Sequence, residues 1–433
     1  MPTPPGTVRA PLLVAVMASL AVAALPVGGV GALGADAPGS VPAESFRAPA
    51  DGVFRLVGAG WGHGRGMSQW GAYQAGVEGR SHTQILAFYY PGTLLRKLPA
   101  ASVRVLLSGD TGADLVVRAA SGLTATMTKA SGTRTVTLPA RPSGCSVPAT
   151  LWRARATRTG LKLQARCRTW RTVIPARDLK AHHPISFAVP GGIVGTQDGG
   201  VRHGYRGAVS ATRTSSRSVR VVNTLPMESY LRAVLPAEVP AAWPAAALRA
   251  QAIAARSFAA RQMASAAGRA FDVYDTIRSQ VYPGAVAYDW RWRVVRIRED
   301  ARTDAAISDT AGVAVTSGGA AVLTQYSSSN GGATAASPSL DQAARVDAWD
   351  ARAVRNPRHS WTDSVTTRTL RARCSRAGQV VAIRVLGREG AGPWGGRITA
   401  LRVEGTRSGC TFDSDWEIRQ ALGVNSSLFT IRR

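Results

Sequence analysis

Two glutamates, Glu228 and Glu238, stand within eleven residues of each other in a 433-residue chain with only 26 acidic side chains. Glu238 lies among Leu235, Val239, Pro240 and Trp243. A carboxyl desolvated by such neighbours keeps its proton to higher pH, because burial disfavours the charged form. A general acid working near neutral pH needs that property. Glu228 opens a helical pattern, where a carboxylate complements the positive end of the helix dipole, so its reading is structural. A second segment is Gly60-Trp61-Gly62-His63-Gly64-Arg65-Gly66-Met67-Ser68-Gln69. Its glycines allow unusual backbone angles and close approach of a ligand around one histidine. It has neither the lysine of a phosphate loop nor the spacing of a dinucleotide loop. Two further loops, Ser279–Gly284 and Tyr326–Thr334, offer amides, hydroxyls and aromatic rings, the groups that hold sugars.

These residues need a scaffold. From Val103 to Asn223 the chain favours short strands, as in Val103–Leu107, Leu115–Arg118, Arg134–Leu138 and Val219–Val222. Thr, Val and period-two alternation mark them. The clearest helix follows Trp243-Pro244 and runs to about Ala267, with Gly268 ending it. Leu248, Ala252, Ala255 and Ala259 share one face of that helix, and their small size predicts close packing on a sheet. Ala321–Tyr326 and Arg397–Val403 read as strands. The fold class expected is α+β, with a strand-rich region and a mixed region carrying the alanine-rich helix. The boundaries expected are a flexible leader over 38–50, a compact unit over 51–99, a β-rich accessory region over 100–200 and a mixed domain over 201–433.

Composition excludes other classes. With 45% hydrophobic and 18% charged residues the chain is not disordered. Its net charge of +27 predicts affinity for polyanions. An apolar run from Leu12 to Leu25 follows Arg9, and Ala35-Asp36-Ala37 offers small residues for cleavage. Residues 1–37 read as a secretory signal peptide, with an uncleaved membrane anchor as the alternative. Export disfavours nucleic acid as a partner and favours anionic wall polymers or membrane surfaces. Four cysteines, Cys145, Cys167, Cys374 and Cys410, fit two disulfides in an exported chain. Three connectivities can be drawn, and pairing each with its neighbour is the simplest. Zinc prefers closer Cys/His spacing, so no metal and no cofactor is expected.

Residues 225–261 resemble the core motif of the stage II sporulation protein D (SpoIID/LytB) family. The resemblance lies in Leu225-Pro226-Met227-Glu228-Ser229-Tyr230-Leu231, Glu238-Val239-Pro240, Trp243-Pro244 and Ala250-Gln251-Ala252-Ile253-Ala254-Ala255-Arg256. Tyr205-Arg206-Gly207, Ser279-Gln280-x-Tyr282-x-Gly284, Ser329-Asn330-Gly331-Gly332-x-Thr334, Asp347-Ala348-Trp349-Asp350 with Asn356-Pro357, and Ile418-Arg419-x-x-Leu422-Gly423 extend it over roughly 200–433. The chain departs from the family in order. The Gly62-His63-Gly64-x-Gly66-Met67-Ser68-Gln69 motif usually comes near the end and here stands near the start, a permuted arrangement in which 51–99 should pack against the C-terminal segment. Val239 also replaces a commoner methionine, and the close His/Cys cluster through which some relatives bind zinc is missing.

The resemblance implies a lytic transglycosylase acting on peptidoglycan glycan strands, favouring strands without stem peptides. It makes Glu238 the catalytic acid and base. It suggests that His63 and Gln69 line the cleft and bind acetamido or hydroxyl groups. Gln251, Arg256, Gln280, Tyr282, Ser329 and Thr334 would position the glycan or hold the loop around Glu238. The competing reading is a non-catalytic glycan-binding enhancer of an autolytic amidase, with that amidase as partner.

Overall fold

A computed structural model describes residues 44–109 and 112–432. The expected signal peptide and the first part of the leader lie outside them. Among the described residues no helix is long and apolar enough to cross a membrane.

The largest sheet has 13 strands. Its centre is a meander of Ile185–Asp198, Val201–Ser215 and Ser218–Pro226, each antiparallel to the next. Alternation explains these strands: in Ser218–Pro226 the residues Val219, Val221 and Leu225 turn inward and Arg220 and Thr224 do not. Ser102–Leu106 joins the far side of that meander, and Asp114–Arg118 and Leu151–Ala156 extend the sheet the other way. The strands expected over 103–222 therefore form, shifted by a residue or a few. The boundary expected at residue 200 does not. It falls in the turn of one hairpin, and the two sides share one apolar core running from Val103 to Ile307. A register of ten paired residues across that turn ties them into one sheet.

The alanine-rich helix spans Ala245–Ser265, with Pro244 as N-cap. Pro there has no N–H to leave unpaired. Leu248, Ala252, Ala255 and Ala259 do face the large core. The opposite face is buried as well: Ala247, Ala250, Ile253 and Ala254 meet Met67, Ala72, Ile85, Leu86, Tyr89 and Tyr90. Alanines on both faces let this helix pass between two packed layers. Its neighbour, the helix Met227–Glu238, precedes it across a short connection that contains Pro240 and Pro244.

A third core gathers Phe54 and Leu56 with Leu370, Ile383, Leu401, Ile418 and Phe429. Val53–Ala59 lies between Ser360–Thr366 and Phe429–Ile431, antiparallel to both. Residues near the start of the chain thus complete a sheet made near its end. Residues 44–47, expected within a flexible leader, form an edge strand on Val380–Arg388. Phe46 packs on this core, and the buried Arg388 guanidinium grips Glu44 at 2.6 Å. The segment 321–326, expected as one strand, is two pieces, Ala320–Ala321 and Tyr326–Ser327. Tyr326–Ser327 pairs in parallel with Met67–Ser68 instead of continuing its own strand. The cysteines pair as neighbours, Cys145–Cys167 and Cys374–Cys410, with Cα atoms 5.9 and 5.8 Å apart. Strands and helices in these proportions make the fold α+β.

Candidate active site

Glu238 is the last residue of the helix Met227–Glu238. The carbonyl end of a helix carries negative partial charge and repels a carboxylate. Burial acts in the same direction and more strongly, pushing the Glu238 carboxyl from 4.5 up to about 7. The Val281 backbone and the Gln69 and Tyr326 side chains pull the other way. Gln69 Nε2 faces the carboxyl without completing a hydrogen bond and has no other partner. The remaining exposed part of Glu238 opens into a cavity of about 480 Å³.

Several distant parts of the chain wall that cavity: Trp61, Gly62 and Gln69 of the glycine-rich segment, Ala237 and Glu238, Ile277 and Ser279–Val281, Ser328, Arg358, Arg373, and a stretch between Arg419 and Asn425. Glu238 is the only carboxyl among them. A hydrogen-bonded chain backs it. Tyr230 Oη donates to Gln280 Oε1 at 3.0 Å, and Gln280 Nε2 donates to Tyr326 Oη at 2.8 Å. The Tyr326 hydroxyl proton is then left to face Glu238. The elements that fix this chain are the helices 227–238 and 245–265, since Gln280 Nε2 also reaches the Ala255 carbonyl at 3.4 Å.

Gln69 is aimed by a second network. Ser68 caps the helix Gln69–Val77, accepting from Gly71 N at 3.0 Å. Its Oγ donates to Asp350 at 2.6 Å. Asp350 also accepts from Ser329 Oγ and from Asn330 N at 3.1 Å. Asp347 holds Tyr89 Oη and Asn330 Nδ2, each at 2.7 Å. The two aspartates of the Asp347-Ala348-Trp349-Asp350 run are therefore buried clamps between the first and last thirds of the chain. The backbone above them is tight. At Gly64 (φ +71°) and Gly66 (φ +63°) a Cβ would meet the Arg397 guanidinium at 2.3 Å and the Gln325 carbonyl at 2.1 Å.

Of the residues expected to serve the site, Glu238, Gln69 and Gln280 reach the cavity wall. His63 does not. It is 5% exposed, its Nδ1 accepts from Arg65 N at 3.0 Å, and burial pushes its pKa down to about 3, so the ring is neutral. It props the loop from beneath. Gln251 is buried and lies outside the lining of this cavity. Arg256 forms a two-pronged ion pair with Glu228, at 3.0 and 2.6 Å, which also accepts from Gly312 N. This joins the two helices and fits the structural reading of Glu228. Tyr282 donates to Asn223 at 2.7 Å and stacks against Tyr230. Ser329 is spent on Asp350 and Asn356, and Thr334 on the strand opposite it. None of these six is in the lining of the cavity. Trp243, expected over Glu238, packs on Trp70 and Tyr73 instead.

Sequence reasoning missed Tyr326, Trp61, Arg358 and Arg373 as site residues. Tyr326 stood at the head of a polar loop and Trp61 inside the glycine-rich segment, so both carried a signal. The two arginines carried none, because each is one among many.

Residues 215–316 match the family model of SpoIID, stage II sporulation protein, which spans Glu228, Glu238 and both central helices. An uncharacterized protein of Brachyspira hyodysenteriae is 39% identical over 98 residues, 22% of this chain and 26% of the relative. The amidase enhancer of Bacillus subtilis is 31% identical over 140 residues, 32% of this chain and 17% of the relative. The matches thus span about a quarter or less of these relatives' length. No solved structure matches. Residues 215–316, which hold Glu238 and both central helices, thus match the SpoIID family model.

Proposed function

We propose that this protein is an exported cell-wall enzyme that cleaves peptidoglycan glycan strands by lytic transglycosylation. The observation that carries the reading is a single glutamic acid, with its proton held to about pH 7, in a cavity with no second carboxyl. Common glycoside hydrolases pair two carboxyls about 5–9.5 Å apart, because water or an enzyme nucleophile must be handled. Transglycosylation needs one. Glu238 donates its proton to the glycosidic oxygen as the C1–O bond breaks. The C6 hydroxyl of the same sugar attacks C1 and returns its proton to Glu238. The product is a 1,6-anhydro-muramyl end, and no water is consumed. The Tyr230–Gln280–Tyr326 chain would steady Glu238 through both steps. The disulfides fit an oxidising compartment outside the cytoplasm. The permuted order of the glycine-rich motif belongs to this reading: Val53–Ala59 beside Phe429–Ile431 supports it.

The likeness to an amidase enhancer favours a second reading, a glycan-binding partner of an amidase. Mass spectrometry of denuded strands incubated with the protein, beside its Glu238→Gln variant, separates the two. Fragments lighter than hydrolysis products by one water, absent with the variant, support transglycosylation. Full-mass ends would refute it, and intact strands bound by both proteins would favour the enhancer.

A further inference from the structure

A second cavity, of about 410 Å³, lies on the large sheet, and its lining shares no residue with the one beside Glu238. Arg118, Arg166, Arg202, Gln197 and Trp292 line it, and no carboxylate does. Sheet register builds it. Arg118 pairs with Leu151 and Leu151 with Arg166, so both arginines stand on one face in a row across three strands. Two strand spacings put their Cα atoms about 10 Å apart. Arg202 and Gln197 are paired across the neighbouring hairpin. Gly195 keeps the floor low, since a Cβ there would meet the Trp292 ring at 2.9 Å and Arg118 Cβ at 3.3 Å. Trp292 is held at φ +63°, a region that bulky residues rarely adopt. Arg118 Nη1 donates to its carbonyl at 3.3 Å, and the Arg118 and Arg202 guanidiniums lie 5.7 and 5.2 Å from its ring centroid. None of the three arginines takes part in an ion pair among the described residues: Asp114 holds Arg153 and Arg155, and Asp289 holds Arg293. Gln197 spends its acceptor on Arg202 Nε at 3.1 Å and keeps its amide donors. The cavity thus presents donors and surplus positive charge beside an aromatic ring.

We propose that this cavity binds a phosphodiester-linked polyol chain, an anionic polymer of the cell wall, and so retains the protein on the wall. From the reading above it takes only that the protein meets the wall; it does not depend on the reaction at Glu238. Guanidinium forks match phosphate oxygens in shape and charge. A tetrahedral phosphate offers oxygens in several directions, so arginines reaching in from different strands can share it. A planar carboxylate is served best by one fork. Positive charge spread over three positions suits repeated anions better than a single ion. The indole face of Trp292 takes the C–H groups of the polyol between phosphates. Unpaired like charges held this close repel one another, and an entering anion relieves that repulsion.

The test titrates the full-length protein with labelled poly(glycerol phosphate), with polygalacturonate as a carboxylate polymer and with oligothymidylate as a nucleic acid, across a range of salt. Arg118→Gln combined with Arg166→Gln should weaken poly(glycerol phosphate) at least about tenfold and lower the salt slope by about one per arginine. Arg217→Gln combined with Arg371→Gln removes the same charge from exposed positions outside the cavity and should leave binding within about twofold. Lysine at 118 and 166 keeps the charge without the fork and should restore part of the affinity, which a folding defect would not allow. Trp292→Ala should weaken poly(glycerol phosphate) several-fold. Equal weakening by the cavity pair and the control pair would overturn the proposal, because general charge would then suffice. Equally tight polygalacturonate would overturn the choice of phosphate, and oligothymidylate bound as tightly through the same arginines would favour a nucleic acid instead. Cleavage of denuded strands keeps the claims apart. The cavity variants should cut strands as the wild type does. A wild type that binds the polymer through these arginines and cuts no strand would sink the transglycosylase reading and leave this one standing.

Discussion

Glu238→Gln keeps the shape of the side chain and removes its charge, so it isolates what burial does to this carboxyl. Its proton is held to about pH 7 against an ordinary 4.5. Below pH 4.5 both the folded and the unfolded chain are protonated here, and the site adds no pH dependence. Between 4.5 and 7 the unfolded chain releases the proton while the folded one keeps it, so wild-type stability falls as pH rises. Above about 7 the loss is complete. At about 1.4 kcal/mol per pH unit the loss between 4.5 and about 7 comes to about 3.5 kcal/mol, an upper value because part of the side chain reaches the cavity. The glutamine variant has no such loss. Urea unfolding of both proteins, followed by tryptophan fluorescence from pH 4 to 8.5, should show the variant gaining on the wild type through this window and then holding level. A difference that stays flat with pH would refute the reasoning, and so would one that grows in favour of the wild type. Wild-type kcat/KM on denuded strands should fall tenfold per unit above about pH 7, because the acid form is the donor.

Three further outcomes follow from the packing. Tyr326→Phe removes a hydroxyl that holds the Glu238 pKa down, so the alkaline limb of the pH–rate profile should move to higher pH; a shift to lower pH would contradict the geometry. Arg256→Ala leaves the Val313 and Ile307 carbonyls without their guanidinium donor and removes its pair with Glu228, and urea unfolding should show a loss of about 1–3 kcal/mol. Gly66→Ala forces a Cβ onto the Gln325 carbonyl at a positive φ, which should cost about 1–3 kcal/mol in the same assay and reduce strand cleavage by displacing Gln69.

The candidate site was legible in the sequence to an unequal degree. Glu238 could be singled out because an acidic residue among apolar neighbours is rare in so basic a chain. The reason given by its neighbours was only partly the right one. Trp243 turns toward Trp70 and Tyr73, and the groups that tune the carboxyl, Tyr326, Gln69 and Val281, come from elsewhere in the chain. His63 shows the opposite error. A histidine among glycines reads as a ligand-binding residue, yet burial leaves it neutral and bonded to its own loop.

What the sequence determined by itself was local: period-two strands and the proline-started helix over 245–265. Those follow from backbone sterics and side-chain spacing, which act over a few residues. Tertiary structure alone decided the rest. Whether the hairpin at residue 200 joins one sheet or divides two domains depends on which apolar faces meet. Whether Ser327 pairs with its own strand or with Ser68 depends on chain segments more than 250 residues apart. The Gln69 wall of the cavity is placed by Asp347 and Asp350, two buried carboxylates whose partners Ser68, Tyr89 and Asn330 no local pattern announces.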